Sequence, residues 1–191
     1  MKYIFVCLYA LCIGCVQETI PPTDNNGPQV KTSSPQLAST YSTDNQLFEE
    51  GRSLQARADF SGAESRYRQA IAAKPNNPQY NYYLGTVLHA TSRYGEARGL
   101  FEKVIELKPD YANAYSNLGS ILRNLGKLDE SELCTFKAIK LNPNFANAYA
   151  NLGLILKSLG KLQEAELATR KAIEIKPNYS CLLYTSDAAD E

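Results

Sequence analysis

Apolar residues recur along the chain at the three- and four-residue spacing of one helical face, in segments separated by glycine or proline. Tyr115, Leu118, Leu122 and Leu125 follow this spacing, and Gly126 comes directly after them. The pattern predicts a helix that ends at this glycine, a residue favoured just beyond a helix C-terminus. The pattern then resumes in a second run, before a proline that cannot extend a helix, and the run holds Leu128, Ser131, Thr135, Ala138 and Leu141 ahead of Pro143.

This two-helix pattern repeats at a fixed distance of 34 residues. Residues 111–144 and 145–178 agree at 22 of 34 positions without a gap. The same period, followed backwards through glycine and proline positions, gives four units at 44–77, 78–111, 112–145 and 146–179. Such a period is typical of stacked helical units, none of which buries its apolar face alone. The sequence therefore predicts an all-α solenoid with eight helices between about 44 and 178.

The repeated positions resemble those of the tetratricopeptide repeat. In the third unit they hold Tyr115, Leu118, Gly119, Ser131, Ala138 and Pro143, and in the fourth Tyr149, Leu152, Gly153, Ala165, Ala172 and Pro177. The family's twenty-fourth position is aromatic, as in Tyr67 and Phe101, whereas the last two units have Thr135 and Thr169 there. The resemblance covers residues 44–179 and implies a superhelix whose first helices line a concave groove for protein or peptide partners.

The resemblance also implies which side chains face the groove. The candidates at groove-lining positions are Asn113, Asn117, Arg123, Asn147, Asn151, Lys157, Tyr82, Tyr83 and His89. Asn117 and Asn151 share the sixth position and are similar to the asparagine ladder of O-linked N-acetylglucosamine transferase repeats, from which Glu49 and Tyr83 depart. A carboxamide carries donor and acceptor groups, so it can pair with a peptide main chain without demanding a sequence. The alternative is that these asparagines reflect repeat consensus and hydration only.

The sequence gives little support for catalysis or for binding of a metal or cofactor. It contains one histidine, His89, and no phosphate loop, nucleophile elbow or dinucleotide fingerprint. Its five cysteines have no zinc-site spacing. The net charge is zero, which leaves no basic stripe for nucleic acid, and the nine Lys/Arg against six Asp/Glu in 112–178 are interpreted as a solvated face. We therefore expect a non-enzymatic binding module without a cofactor.

The first fifteen residues resemble a bacterial lipoprotein signal. Their apolar run, from Tyr3 to Gly14, is shorter than the roughly 20 residues that span a bilayer. It ends Ile-Gly-Cys, which implies acylation of Cys15; an ordinary secretory signal is the alternative. Residues 16–43 are rich in Pro, Ser, Thr, Asn and Gln and predict a disordered linker. The expected location is extracytoplasmic, anchored on the periplasmic face, or secreted under the alternative.

Residues 181–191 break the repeat and resemble the translation of a sequencing-library adapter. We therefore expect the native chain to continue beyond Tyr179. Two functions stay open beside an interaction scaffold. One is the repeat portion of a truncated enzyme of glycosyltransferase or sulfotransferase type, and the other is a lipoprotein of envelope or pilus assembly.

Overall fold

The computed structural model describes residues 43–177; Cys15, the predicted linker up to residue 42 and the tail 181–191 lie outside them. The described residues form eight α-helices and no strand. The helices are α1 (Thr43–Ala56), α2 (Phe60–Ala73), α3 (Pro78–Ala90), α4 (Tyr94–Leu107), α5 (Ala112–Asn124), α6 (Leu128–Leu141), α7 (Ala146–Ser158) and α8 (Leu162–Ile175). This confirms the predicted all-α helical solenoid. None of these eight helices is both long and apolar enough to cross a membrane.

The helices form consecutive pairs. We call α1, α3, α5 and α7 the first helices, and α2, α4, α6 and α8 the second helices. Each helix packs against its neighbours along the chain, and each first helix also contacts the first helix of the next pair. Because the contacts are between neighbours, each pair completes the burial of the pair before it.

Each turn between a first and a second helix contains one residue in the left-handed backbone region. Gly126 (φ 76°) and Gly160 (φ 74°) occupy this position in the last two pairs. Ala58 (φ 60°) and Ser92 (φ 61°) occupy it in the first two. Glycine adopts this conformation without a Cβ clash, whereas other residues pay a steric cost. The two earlier turns therefore carry backbone strain that the two later turns avoid.

The core lies where a first helix crosses its second helix. In the second pair, a Cβ on Gly85 would lie 3.0 Å from Cζ of Phe101, whose side chain is fully buried. In the third pair, a Cβ on Gly119 would overlap Oγ1 of Thr135. A helix-interior glycine costs about 1 kcal/mol, and the close helix crossing is the reason that the chain tolerates it.

Polar side chains replace the aromatic ring in the core of the third pair. Thr135 Oγ1 donates to the Ser131 carbonyl oxygen at 2.9 Å, and Ser131 Oγ donates to the Gly119 carbonyl oxygen at 2.6 Å. Both hydroxyls are fully buried, so these bonds satisfy groups that would otherwise be costly to bury. The two helices therefore still cross closely, because the small hydrogen-bonded side chains of Ser131 and Thr135 replace the aromatic ring.

Candidate functional site

The two asparagines at the sixth position hydrogen-bond to the first helix of the preceding pair. Asn117 Nδ2 donates to the hydroxyl oxygen of Tyr82 at 3.1 Å, and Asn113 lies near the same hydroxyl. Asn151 Nδ2 donates to the carbonyl oxygen and Oγ of Ser116, at 3.3 and 3.0 Å. Both asparagines are half-buried, and their Oδ1 atoms accept no hydrogen bond from a described residue. The donor half of each carboxamide is therefore engaged, and the acceptor half remains for a ligand.

Tyr82 joins this network to a group of aromatic rings. Its ring centroid lies 5.6 Å from that of Tyr83, 5.7 Å from Phe101 and 5.1 Å from Tyr111. Burial raises the pKa of Tyr82 to about 12, so its hydroxyl stays protonated at neutral pH. The ring is packed between helices α3, α4 and the start of α5, which makes it a rigid support for Asn117.

At the sixth position of the first two pairs, Glu49 and Tyr83 stand where the later pairs have asparagine. Arg52 Cζ lies 5.6 Å from the Tyr83 ring centroid, within reach of a cation–π interaction, and Arg52 also pairs with Glu49 at 3.2 Å. Gln55 Nε2 donates to Thr86 Oγ1 at 3.1 Å and so links α1 to α3. Glu49 and Tyr83, the two departures from the asparagine row, are thus engaged with an arginine instead of presenting carboxamides.

Three basic side chains occupy the twelfth position of successive first helices: His89, Arg123 and Lys157. The His89 ring centroid lies 5.8 Å from that of Tyr94. Burial, and then the charge of Arg123, lower the pKa of His89, which is therefore neutral at pH 7. Arg123 is partly exposed and Lys157 exposed, and neither forms a salt bridge with a residue in the described part of the chain.

The structure brings some of the predicted residues together and leaves others apart. Tyr82 and Asn117 are hydrogen-bonded, and Asn113 lies beside them. Asn151 instead joins Ser116, which the sequence did not single out. The spacing of 35 residues, from one sixth position to the preceding fifth position, is the signal that identifies both partners. Asn147 is exposed.

Other reactive groups in the described residues are few. Cys134 on α6 is half-buried against the core, and burial raises the pKa of its thiol, which favours the unreactive protonated form. Within residues 43–177, no three His, Cys, Asp or Glu side chains lie close enough together to hold a metal ion. The chemistry of this surface is hydrogen bonding, aromatic contact and positive charge.

Two family models described as tetratricopeptide repeat match most of the chain. One matches residues 48–112, and the other matches residues 112–145 and 146–179. Together they span the eight helices almost completely. A comparison with curated proteins finds no matching sequence.

Solved structures of the same fold include proteins that bind peptides. YrrB, described as a TPR protein with an unusual peptide-binding site, is 23% identical at a TM-score of 0.65, over 76% of this chain and 75% of that one. The first TPR of Spaghetti (RPAP3), bound to the HSP90 peptide SRMEEVD, is 23% identical at a TM-score of 0.59, over 61% and 93%.

One similar structure is an enzyme. An O-GlcNAc transferase mutant from Thermobaculum terrenum is 22% identical at a TM-score of 0.58, over 61% of this chain but only 23% of that one. At these identities the similarity concerns the helical fold.

Proposed function

Because the chain belongs to the tetratricopeptide repeat family, we propose that this protein-interaction scaffold binds an extended segment of its partner along the groove side of the first helices. The observation that carries the proposal is the pair of half-buried carboxamides, Asn117 and Asn151, one repeat apart. Peptide binding by YrrB and by the Spaghetti repeat supports the choice of a peptide partner. The scaffold acts by presenting fixed groups, without chemical change in the partner.

The recognition depends on the orientation of the two carboxamides. Each Nδ2 donates to the preceding first helix, which holds the amide plane in place and leaves Oδ1 as an acceptor. A main-chain N–H of an extended segment is the natural donor to this oxygen, because every residue except proline supplies one. The site therefore tolerates many partner sequences, and side chains beside the row add specificity.

The first experiment measures how much the carboxamides contribute. A peptide selected from a random library with the wild-type protein is labelled, and its dissociation constant is measured by fluorescence anisotropy. Two hydrogen bonds at about 0.5–1.5 kcal/mol each predict that Asn117→Ala with Asn151→Ala weakens binding roughly 5- to 150-fold. N-methylation of the peptide main chain at the matching amides should cause a similar loss, because it removes the donors.

The matched control replaces two exposed carboxamides on second helices, Gln69→Ala with Gln163→Ala. This double variant should bind as the wild type does, and both double variants should retain the far-ultraviolet dichroism of the helices. Equal affinity of the wild type and the asparagine variant would show that the asparagines serve only packing between repeats. Recognition would then lie elsewhere.

The proposed location is extracytoplasmic, with a lipid on Cys15, and it rests on the resemblance of the N-terminal sequence to a lipoprotein signal. A single acyl chain binds membranes only marginally, so a diacylated cysteine would provide stable anchoring. Cys15→Ser should leave the chain unprocessed or release it from the membrane fraction. Unchanged processing and fractionation would favour an ordinary secretory signal.

A further inference from the structure

Charge is distributed unevenly between the two kinds of helix. The first helices α3, α5 and α7 contain no aspartate or glutamate. The second helices opposite them are rich in acidic residues, namely Glu96, Glu102 and Glu106 in α4, Asp129, Glu130 and Glu132 in α6, and Glu164, Glu166 and Glu174 in α8. The first helix α1 differs, because it contains Asp44, Glu49 and Glu50. The uneven distribution of carboxylates therefore concerns the last three helix pairs.

Basic residues occur on both kinds of helix, but in the last three pairs only the second helices also carry carboxylates. Cations at the start of second helices are paired: Arg93 with Glu64 at 2.7 Å and Lys161 with Glu132 at 3.0 Å. Arg123 and Lys157, at the twelfth position of α5 and α7, have no such partner among the described residues. We call His89, Arg123 and Lys157 the basic row.

A helix-dipole role does not account for the basic row. A cation near a helix C-terminus offsets the partial negative charge there, and this benefit applies to every helix. In this chain the last turns of α3, α5 and α7 all carry a basic residue, whereas among the second helices only α6 does, through Lys140. The last turn of α1 carries no basic residue either, so the preference is confined to α3, α5 and α7.

Arg123 and Lys157 are the charged members of the row at pH 7, and two like charges on successive first helices repel each other unless an anion lies between them. Burial, and then the charge of Arg123, lower the pKa of His89 and keep this ring neutral at pH 7. The helices α3, α5 and α7 supply no carboxylate, and Arg123 and Lys157 form no salt bridge among the described residues, so both cations are available to an anionic ligand.

We propose that the groove binds an acidic extended segment, whose main chain faces Asn117 and Asn151 and whose carboxylates pair with Arg123 and Lys157. This proposal rests on the proposed function and names the chemistry of the partner. The distance between α5 and α7 sets how far apart the partner's carboxylates must be, because packed helix axes lie about 8–10 Å apart. A polyproline II segment rises about 3.1 Å per residue with three residues per turn. Every third side chain therefore lies on one side of the segment, at a spacing that matches the distance between the two helices. Its main chain also has no internal hydrogen bonds.

The test uses labelled peptides of about twelve residues with the repeating triplet Pro-Ala-Glu, and a matched peptide in which every Glu is Gln. Binding to the 191-residue chain is measured by anisotropy. The Glu peptide should bind roughly tenfold more tightly than the Gln peptide at about 0.02 M salt, from two exposed ion pairs. This advantage should shrink at about 0.2 M salt through screening.

Two double variants locate the effect. Arg123→Gln with Lys157→Gln should bind the Glu and Gln peptides equally. The control, Lys103→Gln with Lys137→Gln, makes the same change of charge on second helices, at residues that also form no salt bridge among the described residues. It should keep the preference for Glu. Circular dichroism of both variants checks that the helices are intact.

The outcomes separate this inference from the proposed function. Equal binding of both peptides by the wild type would overturn the acidic partner and leave a peptide groove. Binding of neither peptide would overturn both. If the control variant also loses its preference for the Glu peptide, the effect depends on the total charge of the protein and not on Arg123 and Lys157. If a single-stranded oligonucleotide of equal charge competes more strongly than the Gln peptide for the bound Glu peptide, the basic row binds nucleic acid instead.

Discussion

Replacing Gly119 by alanine should destabilise the protein, although alanine is the better helix former by about 1 kcal/mol. The new Cβ would overlap Thr135 Oγ1 and would lie 3.2 Å from the Ser131 carbonyl oxygen. Neither neighbour moves easily, because Thr135 is fully buried and its Oγ1 donates to that carbonyl. Overpacking of this kind costs about 1–3 kcal/mol. The net loss of stability is therefore about 1 kcal/mol, the larger packing cost less the propensity gain.

Gly99→Ala is the matched control, because Gly99 is also inside a helix but has no atom within 4 Å of its would-be Cβ. It should stabilise by about 0.5–1 kcal/mol, from helix propensity and a less flexible unfolded chain. The difference between the two variants isolates the packing cost of the crossing. Urea unfolding followed by circular dichroism measures this difference. Its expected size, about 1.5–2 kcal/mol, corresponds to roughly 5 °C in the thermal midpoint.

A second change tests the named contact. Thr135→Ala removes the Oγ1 that the new methyl group would overlap, so it should recover most of the loss when combined with Gly119→Ala. Thr135→Ala alone supplies the reference for a double-mutant cycle, in which the coupling should be favourable. If Gly119→Ala stabilises as much as Gly99→Ala, the two helices do not cross this closely, and the packing argument fails.

Two further predictions concern the turn strain and the single histidine. Ser92→Gly should stabilise by about 1 kcal/mol because it relieves a left-handed residue (φ 61°), and Gly126→Ala should destabilise by a similar amount; urea midpoints that move in the opposite directions would refute this. Because burial, and then Arg123, lower the pKa of His89 in the fold, its contribution to stability is present above the ordinary histidine pKa of 6.5 and is lost as the pH falls through the folded-state pKa. His89→Gln should therefore flatten the dependence of unfolding free energy on pH just below the ordinary histidine pKa of 6.5, and an unchanged slope there would contradict the burial of this ring.

The sequence determined the helices and their repetition, because these depend on local rules that act along the chain. Periodic apolar residues define one face, and Gly126 and Pro143 mark where helices end. The turn at Ser92 was less visible, since its left-handed backbone is imposed by the surrounding helix pair and not by the residue. The location and the lipid on Cys15 stay predictions.

Only the tertiary structure decided what each groove candidate contacts. Position in the repeat predicted that Asn117 and Asn151 share one face. Their hydrogen bonds to Tyr82 and Ser116 join residues on different helices that are 35 positions apart in the chain. A one-dimensional pattern specifies the face of a helix and not the partner across the next helix, because that depends on the packing distance and side-chain rotamers. The same reason explains why the excess of positive charge in 112–178 was interpreted as a solvated face. Which of these cations form a salt bridge, as Lys161 does with Glu132, and which do not, as with Arg123 and Lys157, depends on the carboxylates that the packing brings within reach.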